Sequence, residues 1–302
     1  MAVAAAAAAA VAAATDVDGA DRFGLGWRPE IGAGILRHRD RIDLVEVVAD
    51  DWFDASRRQR DALRTLAAQV PVVLHGVGLG MASASPVDER RLDAMARVVA
   101  AVEPAFWSEH LAFVRAGGIE IGHLAAPPRC TATIDGLARN VERARRVVGA
   151  RPLVENVATL VDPPGSTLDE PDWVAGCLRA ADAGWLLDLH NLHANAVNFG
   201  FDAAAALDRM PLERVVAIHL AGGRRLAGGR VLDDHLHAVP DPVYALLAAV
   251  GIRAPQPLTV LLERDGAYPA IEVLLAELDR GRAALAQGRA RSMSDVAARR
   301  AA

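Results

Sequence analysis

Lysine is absent from this chain of 302 residues, so all 33 basic side chains are arginine. Arginine only donates hydrogen bonds, so it can neutralise a carboxylate but offers no acceptor to an imidazole N–H. Cysteine is nearly absent. Cys130 and Cys177 stand far apart and in no C-x-x-C spacing, which argues against a disulfide framework, a zinc ribbon or an iron–sulfur cluster and fits a reducing cytoplasm. Blocks of one charge are missing too: the net charge is -5, with 33 basic and 38 acidic residues interspersed, a balance that points away from nucleic acid. No segment approaches membrane length. The opening MAVAAAAAAAVAAATDVDGA is small and apolar, yet no Lys or Arg precedes the run as in an export signal. Residues 1–20 are therefore expected to form a disordered alanine-rich tail, and residues 291–302 a helix end or loose tail.

What is present is a core. With 52% hydrophobic residues, the stretch 21–290 can bury the interior of one large domain. Eight short apolar runs recur along it: Phe23 to Trp27, Asp43 to Asp50, Pro71 to Val77, Ala105 to Phe113, Pro152 to Val157, Gly184 to Asn191, Val215 to Gly222 and Leu258 to Asp265. Amphipathic stretches of helical period separate them, clearest at Leu92 to Val102, Ile134 to Val148, Pro171 to Ala181, Pro242 to Val250 and Ala270 to Ala286. Continuous apolar strands alternating with helices predict an α/β fold, a single parallel (β/α)8 TIM barrel. No glycine fingerprint follows the first strand, as a dinucleotide-binding open sheet would require.

Seven of the eight runs carry ionisable side chains toward their carboxyl ends: Asp50, His75, His110, Glu155, Asp188 with His190, His219 and Glu263. In a parallel barrel these ends converge on the face where active sites are built. Each residue alone has a plain structural reading. A single histidine is more often a hydrogen-bonded core residue, Glu263 could pair with Arg264 or Arg28, and Glu155 could accept backbone bonds. Jointly, these groups need partners, because buried charge is costly unless paired or bound to metal. The loop VLDDHLHAVPDP adds Asp233 and His235, which extended backbone would point the same way, as it would Asp188 and His190. His237 in the same loop reads as solvent-exposed. Four or five imidazoles and about four carboxylates exceed the needs of one ion, so two or three metal ions sharing carboxylates are expected. Nitrogen and oxygen donors suit iron, manganese or zinc.

The motifs GLGWRPE, LHGVGLG, SEHLAF, VENV, LLDLHNLHANAVNFGFD, IHLAGG, DDHLHAVPDPVYALL and LLERD, in this order, resemble those of the DUF692 family, the multinuclear non-heme iron-dependent oxidative enzymes, to which the methanobactin-pathway enzyme belongs. The resemblance runs from about Phe23 to about Leu278. It implies a xylose-isomerase-like barrel holding two or three irons, cycling between Fe2+ and Fe3+. Dioxygen would be the co-substrate, and residues of a ribosomally made precursor peptide, often cysteines, would be modified. The implied metal ligands are His75, His110, Glu155, Asp188, His190, His219, Asp233, His235 and Glu263, with His75, His110, Glu155, Asp188 and Glu263 as the catalytic set. His190 stands where many relatives have asparagine, and His193 where many have tyrosine. Asp50 and Asp51 replace a more usual glutamate–asparagine pair. Relatives often act with a small partner protein that presents the leader peptide, and such a partner is expected in trans, with neither nucleic acid nor membrane involved.

Cys130 and Cys177 read as structural, and Trp52, Phe53, Trp107 and Phe113 as either groove lining or packing. The arginine pairs Arg57/Arg58 and Arg224/Arg225 read as solvated surface. Two other readings stand beside the oxidative one: a divalent-metal hydrolase or isomerase of the xylose-isomerase-like barrels, against which the missing lysine counts for a sugar isomerase, and a metal-binding protein without turnover.

Overall fold

In the computed structural model residues 19–301 are described, with side chains to Ser294. The alanine-rich opening therefore lies, through residue 18, outside the described residues. In chain order the strands are β1 (Arg22–Gly26), β2 (Leu44–Val48), β3 (Val72–Gly76), β4 (Trp107–His110), β5 (Phe113–Ala116), β6 (Ile119–Ala125), β7 (Leu153–Glu155), β8 (Trp185–Asp188), β9 (Val215–Leu220), β10 (Arg224–Arg225), β11 (Val231–Leu232) and β12 (Thr259–Leu262). Eight of them close a barrel in the order β1-β12-β9-β8-β7-β4-β3-β2, and every neighbouring pair is parallel. This is the expected TIM barrel. All five helical stretches read from periodicity are helices, the last extending over Ile271–Ala301. Among the described residues no helix is long and apolar enough to cross a membrane.

The barrel interior is built in two layers, and the two-residue period of a strand explains both. A separate apolar cluster contains Leu44, Val73, Phe106, Leu153, Leu186, Ala217 and Leu261. Two residues further along each strand, on the same inward register, come Glu46, His75, Ser108, Glu155, Asp188, His219 and Glu263, all buried. The apolar layer forms a dry floor, and the polar layer above it is the candidate site. The first strand contributes to neither, because its inward positions are glycines. A Cβ on Gly24 would stand 2.4 Å from the Leu44 carbonyl and 3.0 Å from a Leu261 methyl.

Three local readings are corrected. The run Ala105 to Phe113 is not one strand: β4 ends at His110, and Phe113 opens a hairpin with β6 across Gly117 and Gly118, both in the left-handed region. The strand at Gly184 to Asn191 stops at Asp188, whose Oδ1 accepts the Asn191 N–H at 2.6 Å and caps the helix Leu189–Phe199. His190 thus sits in the first turn of a helix, and no strand alternation relates it to Asp188. Nor does extended backbone relate Asp233 to His235, since His235 has φ 52°.

Candidate metal centre

His75 and His110 project from adjacent strand ends, their rings 4.6 Å apart. The His75 Nδ1 is 2.8 Å from the Ser108 hydroxyl, and the His110 Nδ1 is 3.2 Å from the Gly76 carbonyl. These outer bonds turn both Nε2 atoms toward one oxygen. Each lies 3.4 Å from Glu155 Oε2, which is buried and has no hydrogen-bond partner. The other Glu155 oxygen is 3.2 Å from His219 Nδ1. Glu155 therefore reaches two ligand groups, as a bridging carboxylate must.

On the far side, His219 Nδ1 also lies 3.1 Å from Glu263 Oε2 and 4.0 Å from Asp188 Oδ2. His235 joins the same carboxylates, with Nδ1 3.2 Å from Glu263 and Nε2 3.9 Å from Asp188. A third grouping is His190, Asp233 and His235: the Asp233 Oδ1 is 2.8 Å from His190 Nδ1 and 2.7 Å from His235 Nε2. The His235 contact lacks hydrogen-bond geometry and leaves its Nε2 unpartnered, as is Asp188 Oδ2. Gly223 lets His190 take this place, since a Cβ there would stand 2.8 Å from the ring Nε2 and 2.2 Å from the Leu232 carbonyl. All nine residues expected as ligands thus fall into clusters whose donor atoms lie within 4.8 Å of one another.

The electrostatics follow from burial against charge. Burial alone would lower the His110 imidazole, but the Glu155, Glu109 and Glu263 carboxylates together outweigh it and raise the pKa to about 9. His219 is likewise raised against burial by Glu46 and Glu155, and His235 by Glu263 and Asp233. Burial raises Asp188 well above the carboxylate range, and the Glu155 charge adds to it. In Glu263, burial is overcome by His235 and His219, and the pKa falls well below its usual value. Three buried ligand atoms have no hydrogen-bond partner: Glu155 Oε2, facing His75 and His110, and Asp188 Oδ2 and His235 Nε2, facing each other; such a donor set fits divalent cations.

One member of the site was missed in the sequence. Glu46, in the middle of β2 and 2% exposed, grips His219 Nε2 with both oxygens, at 3.0 and 3.1 Å. The two-residue step from the inward Leu44 was the signal that could have found it. Asp50, read at that strand's end, accepts the Val77 N–H at 2.9 Å and belongs to none of the ligand clusters. With Nε2 held by Glu46, His219 offers Nδ1 inward. Glu46→Gln is expected to weaken Fe2+ binding about 10–100-fold, measured by anaerobic competition with a chromogenic chelator. Unchanged affinity would leave Glu46 a packing role only.

Above the centre opens a cavity of about 660 Å³. His75, His110, Asp233, His235 and Glu263 lie at its base, and Leu124, Val157, Leu160, Val161 and Pro163 are among its walls. Trp52, Phe53, Trp107 and Phe113 do not line it; Trp107 is 1% exposed in the core, and Trp52 and Phe53 pack against that core. Of the partners considered for Glu263, Arg28 lies 3.6 Å away, whereas Arg264 pairs with Glu277 at 3.3 Å. His237 is exposed and bonded to Asp234. His193 lies one turn along its helix, its ring 6.5 Å from that of His190, and joins none of the clusters.

Barrel and site together define a parallel (β/α)8 TIM barrel with clustered candidate metal ligands at the carboxyl ends of its strands. Its fold resembles a D-psicose 3-epimerase from Clostridium cellulolyticum H10 (TM-score 0.54, 14% identity, covering 90% of this chain and 99% of that one). It also resembles a xylose isomerase domain protein from Alicyclobacillus acidocaldarius (TM-score 0.57, 17% identity, 88% and 99%). At those identities the likeness concerns the fold. The family is given by sequence: the model of the RiPP precursor modification enzymes MbnB/TglH/ChrH matches residues 22–286, and the chain belongs to this family. A UPF0276 protein of Streptomyces avermitilis is 40% identical over 253 residues, 82% of this chain. The chain spans only about half of that longer relative, 51%. A UPF0276 protein of Bordetella bronchiseptica is 34% identical over 275 residues, 88% of this chain and 93% of its own length.

Proposed function

We propose that this protein is a multinuclear non-heme iron enzyme that uses dioxygen to modify a residue, cysteine, of a ribosomally synthesised precursor peptide. The observation that carries the proposal is the convergence of nine nitrogen and oxygen donors, three of them with buried unpartnered atoms, beneath a cavity open to a peptide. Family membership supports the substrate class. The ligand set is His75, His110, Glu155, Asp188, His190, His219, Asp233, His235 and Glu263, and it would hold two or three ions. Bound iron would supply Lewis acidity toward a thiol and the electrons that dioxygen needs.

The chain's own residues do the rest. Ser108 and the Gly76 carbonyl fix the His75 and His110 rings, so no reorganisation is needed when a ligand arrives. Leu124, Val157 and Leu160 give the cavity above the polar base apolar walls, and its volume leaves room for an extended segment. His123, Asp234 and Asp265 line the same cavity outside the ligand set and could accept a proton from an entering thiol, Asp265 while paired with Arg28. A small partner protein presenting the leader of the peptide, and a cytoplasmic location, complete the proposal.

Anaerobic purification with iron quantification and Mössbauer spectroscopy tests it. Two or three irons per chain, and oxygen uptake on adding a cysteine-bearing peptide, are the expected results. Stoichiometric zinc without oxygen uptake would overturn the oxidative reading in favour of a hydrolase or isomerase.

A further inference from the structure

Most of the candidate ligands ride on the barrel. His75, His110, Glu155, Asp188 and His219 belong to its strands, and Glu263 follows β12 directly. Asp233 and His235 are different: they follow β11, which pairs only with β10 and lies outside the barrel. The Asp265 N–H donates to the His235 carbonyl at 3.0 Å, and Arg230 donates to the Leu160 carbonyl at 2.9 Å, so the loop touches other walls. Apart from the 2.8 Å contact between His190 and Asp233 themselves, its hydrogen-bonded junction with the helix that carries His190 is made, among the described residues, by a single amide.

That amide is Asn198. Its Oδ1 accepts the Val231 N–H at 2.8 Å, and its Nδ2 donates to the Val231 carbonyl at 3.0 Å, so one side chain satisfies both backbone groups of one residue. The same Nδ2 donates to the Thr159 carbonyl at 3.0 Å, on the segment that follows Glu155. Two further asparagines share this helix face at positions i-7 and i-3 relative to Asn198. Asn191 donates to the Asn156 carbonyl at 3.0 Å. Asn195 donates to the Val157 carbonyl at 3.0 Å and accepts the Thr159 N–H at 2.9 Å. The ladder sews the segment after Glu155 to the helix, and Asn198 extends it to the loop.

We infer that Asn198 is a positioning residue that assembles the His190–Asp233–His235 group by fastening the loop bearing Asp233 and His235 to the helix bearing His190. The inference rests on the reading of that group as a metal site. Only an amide offers a donor and an acceptor side by side here. Aspartate would face the Val231 and Thr159 carbonyls with negative charge and no donor.

Hydrogen exchange followed by mass spectrometry on metal-free protein, then anaerobic loading with Fe2+ alone, tests it in Asn198→Asp and in the milder Asn198→Ser. Exchange over residues 231–235 is expected to rise about tenfold or more, with β3 unchanged. Iron should fall by one ion per chain while the remainder stays bound. Unchanged exchange at 231–235, or a uniform loss of protection across the barrel, would overturn the positioning role. Faster local exchange with undiminished iron would also overturn the inference, because the group would then hold no ion. A wild-type protein that binds no iron would instead defeat the reading of the centre itself.

Discussion

Glu155→Ala is expected to leave less than about a tenth of the wild-type iron and no oxygen uptake, with the barrel still folded. Its effect should exceed that of any other single carboxylate, because Glu155 alone faces three imidazoles: His75 and His110 at 3.4 Å and His219 at 3.2 Å. No neighbour can replace it. Glu109, the nearest alternative to His110, is spent on the backbone N–H groups of Leu79 and His110. Groups that merely orient a ligand are worth about 10–100-fold in metal affinity, so a donor shared between two groups should cost at least the upper figure. The fold should survive, because burial opposes the charged form of His110, and losing the Glu155 charge, the largest contribution that raises its pKa, moves the imidazole toward its neutral form. Metal analysis, circular dichroism and NMR titration of His110 check the three parts. Full metal retention would show that the clusters are not ligand groups, and His75→Ala should repeat the metal loss.

How far the site was legible depended on whether one local rule sufficed. His75, His110, Glu155, His219 and Glu263 stood out because an apolar run ending in an ionisable group has few explanations in a parallel barrel. Glu46 was overlooked because it lies inside the run DLVEVVAD, whose end carries the more conspicuous Asp50; only the inward register shared with Leu44 distinguishes it. His190 was placed on the correct face for the wrong reason. The segment LLDLHNLHANAV fits strand and helix alike, and the capping bond from Asp188 decides between them. The Asp233–His235 pair was legible as a motif, yet its geometry depends on a left-handed His235 that pattern reading does not reveal. Such backbone costs about 1–3 kcal/mol and persists where surrounding contacts enforce it. Asn198 gave no signal, since an asparagine on a helix face reads as solvated until the loop it grips is in place.

Asp188→Asn is expected to produce opposite effects on stability and on metal binding. The carboxylate is fully buried. Its Oδ1 caps a helix, while Oδ2 lies 3.9 Å from His235 Nε2 with no hydrogen-bond partner. Burial first, and the charge of Glu155 second, raise its pKa well above 3.8. A raised acid pKa means that, above pH 3.8, the folded protein holds a proton the unfolded chain has released. Stability contributed by this group is therefore lost as pH rises from 3.8 through the folded value. Asparagine keeps the Oδ1 cap and cannot ionise, so the metal-free variant should not show this decline. Relieving one buried unsatisfied charge is worth about 1–3 kcal/mol, or roughly 2–6 °C in Tm for a chain of this size. The metal-free variant should then melt higher than the wild type at pH 8, and the gap should narrow toward pH 4. Adding Fe2+ should reverse the order, because ligand binding stabilises only the protein that can bind. Parallel pH dependences, or a variant that melts lower at pH 8 without metal, would show that Asp188 is paired in the folded protein and not held in reserve for a cation.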